Sequence, residues 1–152
     1  MIKRVSAITA IISIAAFAGN MINIGMSDVG YWQSMEPIEF MRDFKVKFPF
    51  LLFPTATTLL PALIATILSV VFSRKSSAAQ QSWIIALLGL LLIVIITRIY
   101  HLPTNLAFMK LEYGTAEAAS KLRIWVLLHW VRVIAAITAA TFAVLGFKKS
   151  NW

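Results

Sequence analysis

Three residues in the last apolar stretch of the sequence have types and spacing suited to chemistry. Trp125, His129 and Arg132 stand at i, i+4 and i+7, which on an α-helix places all three on one face. A neutral imidazole is a general base that works near neutral pH. A guanidinium stabilises negative charge developing on an oxygen. Arg132 lies eight positions beyond Ile124, where its apolar run begins, or about 12 Å along a helix. No acidic residue occurs inside any apolar run. Its acceptors must therefore be asparagine side chains, backbone carbonyls, water or an anionic ligand.

The remaining polar groups gather toward one end of the apolar runs. Asn20 and Asn23 stand three apart near the end of the first, and Thr55, Thr57 and Thr58 lie between Pro54 and Pro61 in the second. Arg98 and His101 close the third, followed by Pro103 and Asn105. Polar groups in hydrocarbon are costly and usually face a bundle interior or a cavity. These residues therefore outline a polar pocket, with Asn20, Asn23, Arg98, His101, Asn105 and Trp125 as ligand-contacting candidates and His129 and Arg132 as the catalytic pair. Each has a plainer reading. The asparagines can simply bond neighbouring helices, the threonines their own helix where prolines free carbonyls, and Arg98 can snorkel to the interface.

Other chemistries find little support. There is no Gly-rich phosphate loop, nucleophile elbow, His-x-x-x-His pair or intramembrane carboxylate pair. Zero cysteines remove thiolate chemistry and cysteine-ligated metals. Only two histidines exist, so bis-histidine haem ligation by His101 and His129 is the main cofactor alternative. Copper is a weaker one, resting on Met21, Met26, Met35, Met41 and Met109, which have no tight spacing.

The elements that must hold these residues are set by composition. The chain has 152 residues, 60% hydrophobic and 13% charged, with mean hydropathy +0.83. Soluble domains carry roughly 45–50% apolar and 25% charged residues, so a water-soluble enzyme domain is excluded. Four apolar runs, about Val5–Met26, Leu51–Phe72, Trp83–Tyr100 and Ile124–Phe147, are each near the ~20 residues that cross a bilayer as a helix. The expected fold is all-α, a single-domain integral membrane four-helix bundle. Lys3-Arg4 before an apolar stretch ending in Ala16-Phe17-Ala18-Gly19 has signal-peptide features, but the run continues to Met26 and is expected to remain as a span.

Of the net charge of +8, six basic residues (Lys3, Arg4, Arg74, Lys75, Lys148 and Lys149) fall on one side with no acid. The positive-inside rule then puts both termini in the cytoplasm, the protein in the cytoplasmic membrane, and the two longer loops outside. No basic stripe interleaved with aromatics suggests nucleic acid. Trp32, Met35, Ile38, Phe40, Met41 and Phe44 are spaced for a short amphipathic helix in the first outer loop, lying at the interface. Ala135, Ala136, Ala139, Ala140, Ala143 and Gly146 form a small-residue face for close helix packing, within the chain or against a partner.

The pattern Trp125-x3-His129-x2-Arg132, the Pro103-x-Asn105 element, the stretch Gly19–Gly25 and the segment Pro37–Met41 after Trp32 together resemble the anthrone oxygenase-like family of small four-helix membrane proteins. The resemblance covers nearly the whole chain. It implies that some relatives use dioxygen, without metal or flavin, to convert an anthrone to a quinone. By the same resemblance His129 is the base, and Asn105, Trp125 and Arg132 line the pocket; Arg98 and His101 have no clear counterpart. The expected function is thus a membrane oxygenase or oxidoreductase acting on a lipophilic aromatic small molecule. The alternative class is a non-catalytic lipid- or small-molecule-binding protein, or an accessory subunit of a membrane complex or homo-oligomer.

Overall fold

The computed structural model describes residues 1–150, and every regular element among them is helical. Helix α1 (Ile2–Asn23) runs through a π-helical turn, Ile24–Asp28, into α2 (Val29–Gln33). Residues 34–36 turn the chain into α3 (Pro37–Phe72). After residues 73–76, α4 (Ser77–Ile96) passes through a second π-helical turn, Thr97–His101, into α5 (Leu102–Lys110). Residues 111–114 then lead into α6 (Thr115–Lys149). The result is four rods, each long and apolar enough to cross a membrane. Their outward side chains, such as Ile12, Phe53, Leu88 and Ile134, are exposed hydrophobics, as a lipid solvent permits.

The amphipathic segment expected in the first loop is helical, but it is not a separate interfacial helix. Trp32 falls in α2 and Met35 in the turn, while Ile38–Phe44 form the first turns of α3, which continues unbroken through Pro49, Pro54 and Pro61. Each proline removes one ladder bond. Nearby threonines bond their own helix, Thr55 Oγ1 donating to the Leu51 carbonyl (2.7 Å), Thr57 to Phe53 (2.9 Å) and Thr58 to Pro54 (2.7 Å), but the carbonyls that the prolines free are those of Lys45, Phe50 and Thr57. With no water to satisfy an opened backbone, helix continuity is retained. The third rod likewise extends past its expected end, running from the second π-helical turn through Pro103 to Lys110.

The two ends of the bundle are built differently. At the end holding residues 73–76 (the base), small residues let the helices meet. A Cβ added at Gly89 would lie 3.0 Å from the Ala135 carbonyl, and one at Gly146 would lie 2.8 Å from the Trp83 indole. Ser6 Oγ donates to the Ala65 carbonyl (3.0 Å) where α1 meets α3. At the opposite end (the cap), Trp32, Phe40, Phe44 and Phe108 are fully buried in an edge-to-face cluster, Phe40 and Phe108 having centroids 4.9 Å apart. Above it, Lys47 bridges Asp43 (3.2 Å) and Asp28 (3.8 Å), and Asp43 accepts the Trp32 indole N–H (2.8 Å).

Candidate functional site

Beneath the aromatic cap, α6 carries Trp125, His129 and Arg132 inward on one face, all of them buried. The Arg132 Nη1 donates to Thr97 Oγ1 (3.0 Å), and Nη2 reaches His129 Nδ1 (3.1 Å) and Met21 Sδ (3.6 Å). A guanidinium only donates, so His129 Nδ1 is the acceptor. The ring proton is then on Nε2, which donates to the Met21 carbonyl (2.9 Å). Trp125 stacks on the imidazole, with centroids 5.1 Å apart and planes 7° from parallel. Its indole N–H donates to Asn105 Oδ1 (2.7 Å), so the two sequence motifs on α5 and α6 are bonded to each other.

A pocket of about 80 Å³ lies against this assembly. Met21 and Ile24 come from the first rod, and Phe44, Phe48, Leu51, Leu52 and Thr55 from α3. Thr97, Leu102 and Asn105 come from the third rod, Trp125 and Arg132 from α6. Of the eight candidate site residues named from the sequence, Asn105, Trp125 and Arg132 therefore line it. Asn20 stands one bond behind, its Nδ2 donating to Thr55 Oγ1 (3.0 Å). His129, with no exposed surface, sits behind Trp125 and Arg132 rather than in the wall. His101 is also behind, edge-on to Trp125 at 4.9 Å. Neither of its ring nitrogens makes a well-formed hydrogen bond, although the carbonyls of Ile96 and Trp125 lie beside it. Asn23 and Arg98 are exposed on the outside of the bundle, away from the pocket.

Three contributors carry little signal in sequence. Thr97 lies in the second π-helical turn, accepting from Arg132 while donating to the Ile93 carbonyl (2.7 Å). Met21 acts through a backbone carbonyl and a thioether, neither of which marks a residue as functional. Gly25 lies in the first π-helical turn, where an added Cβ would sit 3.2 Å from His129 Nε2 and 3.1 Å from the Trp130 ring. The close approach of the first rod to α6 admits a side chain here only if His129 or Trp130 shifts by a few tenths of an ångström, and the Gly/Asn-rich stretch was its only trace. π-helical turns insert one residue and recur at functional sites; here two face the same assembly from different rods.

Electrostatically, the pocket wall carries one buried cation, Arg132. The ion pairs among the described residues lie elsewhere, joining Lys47 to Asp28 and Asp43 and Lys110 to Glu112. The acceptors of Arg132 named above are all neutral, its Nε–H has none, and the residue is only 6% exposed. A buried charge without a counter-ion is costly. For haem or copper the fit is poor. Binding at His129 would displace either the Met21 carbonyl or Arg132, and would set a metal cation beside a guanidinium. Among the described residues, no three His, Cys, Asp or Glu side chains converge.

A helical membrane protein with a buried, cation-walled apolar pocket is the class that fold and site define. The chain belongs to the anthrone oxygenase family, whose model matches residues 48–142, from the middle of α3 through most of α6. That span includes Thr97, Asn105, Trp125, His129 and Arg132, and leaves out the contributions of α1 and of Phe44. No curated protein and no solved structure matches the chain.

Proposed function

We propose that the protein is a cofactor-independent membrane oxygenase that converts a lipophilic, anthrone-like aromatic to a quinone. The observation that carries this reading is the unpaired Arg132 guanidinium in the wall of an otherwise largely apolar pocket. An anthrone and its enol give the same enolate. When Nη2 turns from His129 Nδ1 to the ligand oxygen, Nδ1 is left to take the enol proton. The enolate, held by Arg132, passes one electron to dioxygen, and the resulting pair joins at the ring carbon. The peroxide takes back the proton from His129 and loses water, leaving the second carbonyl. Anthrone plus dioxygen thus gives quinone plus water.

The six basic residues at the base of the bundle support an orientation in the cytoplasmic membrane with both termini inside and the pocket in the outer half. Because His129 stands behind the wall, a second reading is a non-catalytic binder of lipophilic anions. Oxygen uptake and quinone absorbance, measured on the purified protein with 9-anthrone, separate the two. The expected result is turnover lost in Arg132→Met and in His129→Phe. Quinone formation equal to that of the unaltered chain in Arg132→Met would overturn the catalytic reading.

A further inference from the structure

The pocket has one side that the cap and base do not close. Toward the cap, Trp32, Phe40 and Phe108 are wholly buried and seal it from water. Toward the base lie the buried side chains of Leu90 and Ile93 and the tight contact of Gly89 with Ala135 and Ala139. Of the lining residues, Leu52 on α3 is the one that is largely exposed, at 49%. Leu102, on the opposing rod, is half-buried. Both belong to the lipid-facing surface, beside exposed Phe53 on one side and exposed Ile99 and Leu106 on the other.

The helices on both sides of this seam are irregular at that level. Leu51 and Leu52 sit between Pro49 and Pro54, which leave the carbonyls of Lys45 and Phe50 without their usual ladder donors. Facing them, Thr97–His101 is π-helical. Fewer ladder bonds make these turns easier to displace than the regular helix at the base.

We propose that the ligand enters the pocket sideways from the hydrocarbon of the bilayer, through the seam between Leu52 on α3 and Leu102 on α5. This rests on the reading of the pocket as the seat of an apolar aromatic molecule, whose concentration is far higher in lipid than in water. The seam selects flat, uncharged molecules, and ionisation follows once the oxygen meets Arg132. A water-soluble, permanently anionic analogue is excluded even though its charge suits the site.

The chain has no cysteine, so single cysteines can be placed at will. Leu52→Cys, Leu60→Cys (exposed on the same helix, away from the pocket) and Gln33→Cys (exposed at the cap) are each blocked in detergent with a benzyl methanethiosulfonate and reconstituted. Entry of anthraquinone, a non-reacting probe, is read as quenching of tryptophan fluorescence, Trp125 being in the pocket wall. Blocking at position 52 is expected to slow quenching about tenfold or more, with recovery when reductant removes the benzyl group. Blocking at 60 or 33 leaves it unchanged. Quenching indifferent to the block at 52, or slowed only by the block at 33, overturns lateral entry. Parallel turnover of 9-anthrone keeps the two readings apart: gated quenching without quinone sinks the catalytic reading alone, and quinone formation that ignores the block at 52 sinks lateral entry alone.

Discussion

Replacing Thr97 by valine keeps the shape of the side chain and removes one oxygen. That oxygen accepts from Arg132 Nη1 at 3.0 Å and donates to the Ile93 carbonyl at 2.7 Å. The second bond is a supplementary one within a helix and matters little. The first is made to a buried charge, and such bonds contribute about 1.5–3 kcal/mol. If Arg132 is the group that receives the ligand oxygen, losing its anchor costs ligand affinity or turnover by a comparable amount. That is a fall of about 10- to 150-fold. Thr97→Ser retains the hydroxyl and is expected to restore most of the loss. The assay is anthraquinone binding and 9-anthrone turnover for both variants, with thermal unfolding as the control for folding. Equal behaviour of valine and serine variants, or full activity in Thr97→Val, would refute the idea that the π-helical turn positions the guanidinium through this hydroxyl.

Arg132→Met removes a buried charge that has no carboxylate partner, so stability is expected to stay within about 2 kcal/mol of the unaltered chain while ligand binding is lost. A drop of about 3–5 kcal/mol in thermal or denaturant unfolding, the size typical of a broken buried ion pair, would contradict this. Asn105→Leu strands the buried Trp125 N–H and is expected to destabilise by about 1–3 kcal/mol. The double variant with Trp125→Phe should lose less than the two single changes together, as a double-mutant cycle would reveal.

The four spans were legible because the bilayer imposes a length and a composition that few other environments require. Their ends were not. Residues 37–50 and 102–110 contain prolines and charges that in water mark loops, yet here they prolong α3 and the third rod. The joint formation of one wall by Asn105, Trp125 and Arg132 followed from helical spacing and from two short motifs. The outward aim of Arg98 did not follow, because the residue lies inside a π-helical turn that shifts the phase of its rod. Thr97 carried no signal beside Arg98, although the threonine reaches the buried guanidinium and the arginine is exposed on the outside of the bundle. The placement of His129 behind the wall depended on a backbone carbonyl of α1 that no residue type announces.

The paired π-helical turns also bear on how such a chain tolerates change. One added residue advances the phase of everything beyond it by roughly 100°. In the first and third rods, then, the cap-side and base-side faces are registered independently of each other. Met21 precedes the first turn and Thr97 opens the second, so both stay in register with the base-side helices, while the cap-side residues Trp32 and Asn105 are the ones whose facing the turns set. Single-residue insertions and deletions, ordinarily ruinous within a span, have in these two turns a natural place to be absorbed, and relatives differing by one residue there can share one pocket.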